Sequence, residues 1–213
     1  MDILDRLFRK KTSEDRLNEF FEKKEKVIDS ILGERFHLVS HSIIPFSAGG
    51  LTDMYIYPNT IEGTAFATME LIEYFDKGPI PNRNGMYELL AFTKLKVDDQ
   101  VIKDENSPFA RILRRLTKIF TDIGRYSYTA KLEPYDTCEI PGKDETLCLV
   151  FDEYENGNAE FIIDGKKYGF LVCIEVFRSE MEYAMKNGSA ELIRLLKEKG
   201  YYPYSDLDRE PVV

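Results

Sequence analysis

Gly169-Phe-Leu-Val-Cys-Ile174, within the longer stretch Tyr168 to Phe177, is almost unbroken apolar sequence. A strand with no polar alternation has to be covered on both faces, so this run predicts the central strand of a sheet with helices packed across it. Upstream, Leu147 to Phe151 and Ala159 to Ile163 read as strands flanking Glu155-Asn-Gly-Asn158, chemistry that closes a hairpin, and Asp164-Gly165 supplies a further turn into Tyr168. Downstream, Ser179-Glu-Met-Glu182 has the spacing of a capping box, and Asn187-Gly188 can end that short helix. Ser189 starts another. This last helix, about Ala190 to Lys199, gathers Leu192, Ile193, Leu195 and Leu196 as its apolar residues, pairs Arg194 with Glu198, and puts Lys197 and Lys199 at the negative end of its dipole.

Working back toward the N-terminus, Leu17, Phe20, Phe21, Val27, Ile28 and Ile31 recur at helical spacing between Thr12, a cap, and Gly33, a left-handed stop. Arg35 to Ile44, Leu51 to Tyr57, Ala65 to Tyr74 and Met86 to Lys94 are rich in β-branched and aromatic residues. Ala48-Gly-Gly50, Pro58-Asn59 and Pro81-Asn-Arg-Asn-Gly85 separate them, so they read as strands of one sheet. Ser107-Pro108 opens a second long helix whose buried face is Phe109, Ile112, Leu113, Leu116, Ile119, Phe120 and Ile123, with Gly124 as its end. The polar passage from Tyr126 to Asp144 has room for a short strand. The pattern predicts an α+β fold: a mixed, largely antiparallel sheet with amphipathic helices packed on its faces. Residues 1–11 form an N-terminal extension and residues 12–213 a single domain.

The chain has 213 residues, a formal charge of −9 and an isoelectric point near 4.9. A field of that sign repels nucleic-acid phosphates and anionic lipid and attracts a basic protein. Cys138, Cys148 and Cys173 are odd in number and widely spaced, the pattern of reduced thiols in a cytoplasmic protein rather than a disulfide framework. Acidic residues near Met1 oppose a signal peptide, and no segment is long enough to cross a bilayer. Ile3, Leu4, Leu7 and Phe8 could line one side of a surface helix ending in Arg9-Lys-Lys11, although a loosely ordered terminus is the simpler expectation.

No catalytic constellation emerges. His37 and His41 would share a metal ion only on a helix, and their surroundings look extended, which places them about 13 Å apart. Cys148 and Cys173 belong to apolar strands, and Cys138 sits beside Asp136 and Glu139, which disfavour a thiolate. The carboxylates of Asp152-Glu-Tyr-Glu155 and Asp206-Leu-Asp208 could serve acid–base chemistry, but acid is abundant throughout the chain. Arg111, Arg114, Arg115 and Lys118 form a basic stripe that lacks the interleaved aromatics of a nucleic-acid platform, so pairing with the chain's own acidic loops is expected. No residue is assigned a catalytic, cofactor-binding or metal role, and partner-binding residues are unknown at this level.

Several segments together resemble the suppressor of fused family. These are Leu132-Glu-Pro-Tyr-Asp-Thr137, Thr146-Leu-Cys-Leu-Val-Phe151, Tyr168 to Glu180, the glycine and leucine-rich helix from Gly188 to Leu196, and Asp206-Leu-Asp-Arg209. Asp53-Met-Tyr-Ile-Tyr57 and Met86-Tyr-Glu-Leu-Leu90 are similar to two upstream family strands, while Thr68-Met-Glu-Leu71 lacks the glycine of the family pattern. The resemblance implies an α+β protein-interaction domain with no catalysis and no cofactor. In animals the family sequesters a transcription factor by clamping an extended peptide, and compact bacterial members resemble toxin-immunity proteins. The expected function is therefore a cytoplasmic, non-enzymatic binder that occludes a protein partner, most naturally a basic toxin domain, with no nucleic-acid or membrane partner. The alternatives are a scaffold that captures an extended peptide along a sheet edge and an enzyme with an unrecognised carboxylate site.

Overall fold

The computed structural model describes residues 12–74, 77–142, 145–155 and 160–213. Helix α1 (Ser13–Leu32) opens with a reciprocal cap. The Asp15 N–H donates to the Thr12 hydroxyl (3.1 Å) and the Thr12 N–H to the Asp15 carboxylate (2.8 Å), so two terminal donors are satisfied. Gly33 ends it with φ 98°, open to any conformation an L side chain resists.

The strands are β1 (Tyr55–Tyr57), β2 (Thr64–Ala67), β3 (Met86–Thr93), β4 (Thr137–Ile140), β5 (Leu147–Asp152), β6 (Glu160–Ile163) and β7 (Lys166–Val176). They form one seven-stranded sheet in the order β1-β2-β3-β7-β5-β4, with β6 also on β7. Only the β3–β7 pair is parallel. The run read as the central strand is β7, paired on both edges and buried from Tyr168 to Val176.

Alternation along the strands splits the core into two layers. On one face Tyr168, Phe170, Val172, Ile174 and Val176 pack with α1 and with two short helices, α3 (Arg178–Asn187) and α4 (Ser189–Glu198). On the other, Leu171 and Cys173 meet the apolar side of the long helix α2 (Pro108–Ser127). Ser107 caps α2 by accepting from the Ala110 N–H, and Pro108 occupies the first helical position, where no donor is lost.

Several expectations change. Arg35 to Ile44 is not a strand: its ladder contacts are a Ser40–Met54 bridge and a Phe36 N–H bond to Ile56, because His41, Ile43 and Ile44 face solvent and offer no buried row. The segment nevertheless shields the outer edge of β1. The strand expected from Leu51 begins only at Tyr55, and the one expected over Ala65 to Tyr74 stops at Ala67. Beyond it the Leu71 and Ile72 N–H groups turn to the buried Glu88 carboxylate instead of a ladder. Gly124 does not end α2, which continues to Ser127; a Cβ there would stand 3.0 Å from Leu71 Cδ2 and 3.2 Å from Phe46 Cζ, so glycine serves close packing.

The expected hairpin between β5 and β6 is absent as well. Both strands run antiparallel to β7 along its same edge, β5 leaving it opposite Val172 and β6 rejoining opposite Gly169. They therefore follow one another end to end and cannot pair. The cap of α3 also shifts by two residues: Phe177 holds the cap position and its N–H donates to Glu180 Oε2 at 3.0 Å, whereas the Ser179 hydroxyl turns to the Val213 carbonyl. The surface-helix reading of Ile3, Leu4, Leu7 and Phe8 falls outside the described residues. No helix among the described residues is long and apolar enough to cross a membrane.

Candidate functional site

The charged residues weighed for chemistry are largely absorbed by the fold. Arg115 of α2 reaches through to Glu175 of β7 with two bonds of 2.6 and 2.5 Å and also holds Glu145. Arg111 and Arg114 donate to the Asn106 and Glu105 carbonyls, and Lys118 pairs with Asp122 one turn on. The basic stripe is thus used within the chain, but pairing with an acidic loop, the expectation, holds only for Arg115 with Glu145; Arg111 and Arg114 bond backbone carbonyls and Lys118 pairs along its own helix. Arg209 grips the fully buried Glu180 with two bonds of 2.6 and 2.9 Å, and Asp206 accepts from the Thr93 hydroxyl and the Lys94 N–H. The Asp206–Arg209 signature pins the C-terminal segment to the sheet and to α3.

The two histidines do not converge. The exposed His41 Nδ1 lies 2.6 Å from Asp53, and His37 Nε2 lies 3.2 Å from Asp99. Among the described residues no group of three metal-ligating side chains is assembled. Cys148 and Cys173 are buried in strands and Cys138 partly so, all three free. Burial, reinforced by Glu139, pushes the Cys138 thiol up, away from the thiolate that a nucleophile requires. Burial also pushes the Glu70, Asp152 and Glu175 carboxyls up, yet they stand on separate elements and Glu175 is committed to Arg115.

Among the described residues three strands, β1, β4 and β6, pair with another strand on one side only. β1 is buried along its length and screened by residues 36–40. β4 pairs with β5 on one side, and among the described residues no strand pairs with its other side. Phe151 N–H donates to the Asp136 carbonyl at 3.0 Å. By the alternation of an antiparallel ladder Cys138 and Ile140 then bond inward to β5, while Thr137 and Glu139 turn their backbone N–H and C=O groups to the open edge. Such groups are a template for another chain.

Beside that edge runs a groove of about 920 Å³ between β4 and the last turns of α2. Ile123, Leu132 and Ile140 supply its apolar lining, Tyr126 and Cys138 are half-open beside them, and Asp122, Lys131, Asp136 and Glu139 form a charged rim in which Asp122 is paired with Lys118 and Glu139 with Arg178. The turn that delivers the chain into β4 is tied on both sides. The Tyr135 N–H donates to the Phe151 carbonyl (2.8 Å), the Asp136 carboxylate accepts from the Glu133 N–H (2.9 Å), and Tyr135 takes φ 76°. A left-handed non-glycine residue costs roughly 1–2 kcal/mol and persists only where its surroundings hold it. Leu132 to Thr137 resembles a family segment in sequence, but that it leads into an edge strand depends on which strand pairs with which, and no local signal carries that.

No protein-family model matches the chain, and no curated protein does. Solved structures share its fold, among them the following three. A chain of the Sufu–Fu complex aligns with TM-score 0.60 at 15% identity, over 92% of this chain and 91% of that one. Drosophila suppressor of fused aligns with TM-score 0.54 at 15% identity over 82% of this chain, which spans 47% of that longer protein. A suppressor of fused homologue from Neisseria gonorrhoeae aligns with TM-score 0.54 at 10% identity over 93% of this chain and 97% of that one. The architecture is that of suppressor of fused, as the C-terminal pattern implied.

Proposed function

We propose that this chain, built on the suppressor of fused fold, is a non-catalytic protein-binding domain that captures an extended segment of a partner as an added strand on β4. The open backbone row of Thr137 and Glu139 beside the groove carries this reading. An added strand gains main-chain hydrogen bonds from the edge, and alternate side chains of the guest enter the groove beside Ile123 and Cys138. One of the solved structures with this fold is itself a complex, that of Sufu with Fu, which supports binding as the output. Acid–base or nucleophilic chemistry has little to work with, since the shifted carboxyls are separated and the thiols are held protonated.

The partner is a basic protein, for which the net charge of −9 provides steering. In its narrowest form the reading is an immunity protein that occludes a basic toxin domain in the cytoplasm, a compartment that suits three free thiols. Nucleic acid and anionic membranes are disfavoured by the same charge.

The test uses the tagged chain as bait in native lysate, in its natural form and as Glu139→Pro, with bound proteins identified by mass spectrometry. Proline removes the outward N–H and leaves the inward ladder intact. A protein recovered with the natural chain and lost from Glu139→Pro supports edge capture. Equal recovery by both places the interface elsewhere and overturns it.

A further inference from the structure

A second recess lies on the opposite face of the sheet, where β5 has left β7. Its floor is Phe92 and Val172, one wall is the segment from Glu153 to Glu155, and the other is Tyr202-Pro-Tyr204. That second wall is anchored to the sheet, with the Ser205 N–H donating to the Phe92 carbonyl at 2.8 Å and the Tyr204 hydroxyl to the Glu62 carbonyl at 2.8 Å. Phe92 and Tyr154 stack with centroids 6.2 Å apart and 11° between planes, and Tyr154 meets Phe170 edge-on at 5.8 Å. The recess measures about 360 Å³, within the range of small-ligand sites, roughly 300–1,000 Å³. Phe92 and Tyr154 are buried against each other, so the rings partly open to the recess are those of Tyr202 and Tyr204, with Ile61 and the Lys197 side chain completing the lining.

The chemistry of the recess favours a cation. Ring faces carry a negative quadrupole, and Glu155 adds a carboxylate at the mouth, while its neighbour Glu153 is held by Arg83 at 2.7 Å. The chain already demonstrates the preference: Lys197 of α4 places its Nζ 4.4 Å from the Tyr202 ring centroid and 2.7 and 2.9 Å from the two Glu155 oxygens. That pair is solvent-exposed on both sides, at 40% and 52%, so it exchanges readily. A guanidinium suits the position better than an ammonium, because it is planar, stacks on aromatic faces, sheds water more easily and offers a two-pronged match to a carboxylate.

We propose that this aromatic box receives an arginine side chain of a protein partner, stacked on Tyr202 and taking Glu155 over from Lys197. The inference rests on the reading of the chain as a protein binder, but it uses no residue of the β4 edge, so the two fail separately. The test titrates chain labelled at its tyrosine rings with Gly-Arg-Gly and with Gly-citrulline-Gly, which keeps the shape and loses the charge, following the Tyr202 ring signals by NMR. Saturable shifts with the arginine peptide alone are expected. Glu155→Gln weakens that binding about fivefold or more, Lys197→Ala strengthens it by removing the internal competitor, and Glu139→Pro leaves it unchanged. Absence of a saturable shift in both the natural chain and Lys197→Ala overturns the proposal, as do equal responses to the two peptides or a response indifferent to Glu155.

Discussion

Lys24 and Glu88 meet inside the protein, both side chains almost without exposure, 3.0 Å apart. Lys24 Nζ also donates to the Ile72 carbonyl and lies near the Phe20 and Phe21 rings, while the Glu88 carboxylate accepts from Lys24, the Thr68 hydroxyl and the Leu71 and Ile72 N–H groups, so the carboxylate is fully hydrogen-bonded and the ammonium has two acceptors. Breaking one half of such a pair strands the other charge in a medium that cannot solvate it. Lys24→Met is therefore expected to cost about 3–5 kcal/mol in urea denaturation, and Lys24→Met/Glu88→Gln to be more stable than Lys24→Met alone, since the stranded charge is gone. Asp152 is a different case: it is buried, its Oδ1 accepts the Glu153 N–H, and its carboxylate faces the Tyr202 hydroxyl rather than a cation bonded to it. Burial raises its pKa above the ordinary 3.8, so the native state holds the proton more tightly than the unfolded one. That contribution to stability is full below 3.8 and is lost as pH rises through the folded value. Asp152→Asn is accordingly expected to raise the urea midpoint at pH 7, with the gain shrinking to nothing as pH falls below the ordinary carboxylate value. A gain independent of pH would remove this account of Asp152.

At the scale of elements, β4 is the part on which the proposed function turns. Glu139→Pro is expected to keep the far-ultraviolet circular dichroism and to shift the midpoint of unfolding little, because the lost N–H points outward. A large loss of stability would show that Glu139 bonds inward and would reverse the assignment of the open edge. Helices were legible in the sequence to within a few residues, because caps such as Thr12 and Ser107 and the 3.6-residue rows of α1 and α2 are local signals. β7 was legible because burial on both faces leaves no alternation. The first strands were harder. Arg35 to Ile44 has strand-like composition but runs past β1 without a ladder, and the segment after Ala67 surrenders its N–H groups to Glu88, a residue 17 positions from Leu71. Pairing decided both, and pairing is not a local property. The same reason hid the one-sided pairing of β4: nothing in Thr137-Cys-Glu-Ile140 distinguishes a strand with two neighbours from one with a single neighbour.

For the whole molecule, the two core layers share one sheet, and β7 contributes side chains to both. We expect residues 12–213 to unfold in a single transition, with tyrosine fluorescence and circular dichroism giving coincident urea curves; two separated transitions would divide the chain into independent units. The charge of −9 acts at this scale too. Association with a basic partner is expected to slow by about tenfold or more between low and high salt in stopped-flow mixing, while dissociation changes little. The claim that a partner strand completes the sheet is tested most directly by amide hydrogen exchange in the captured complex. Slowed exchange at the Thr137 and Glu139 amides on binding is the predicted result. Unchanged exchange at those two positions, with protection confined to other surfaces, would contradict it.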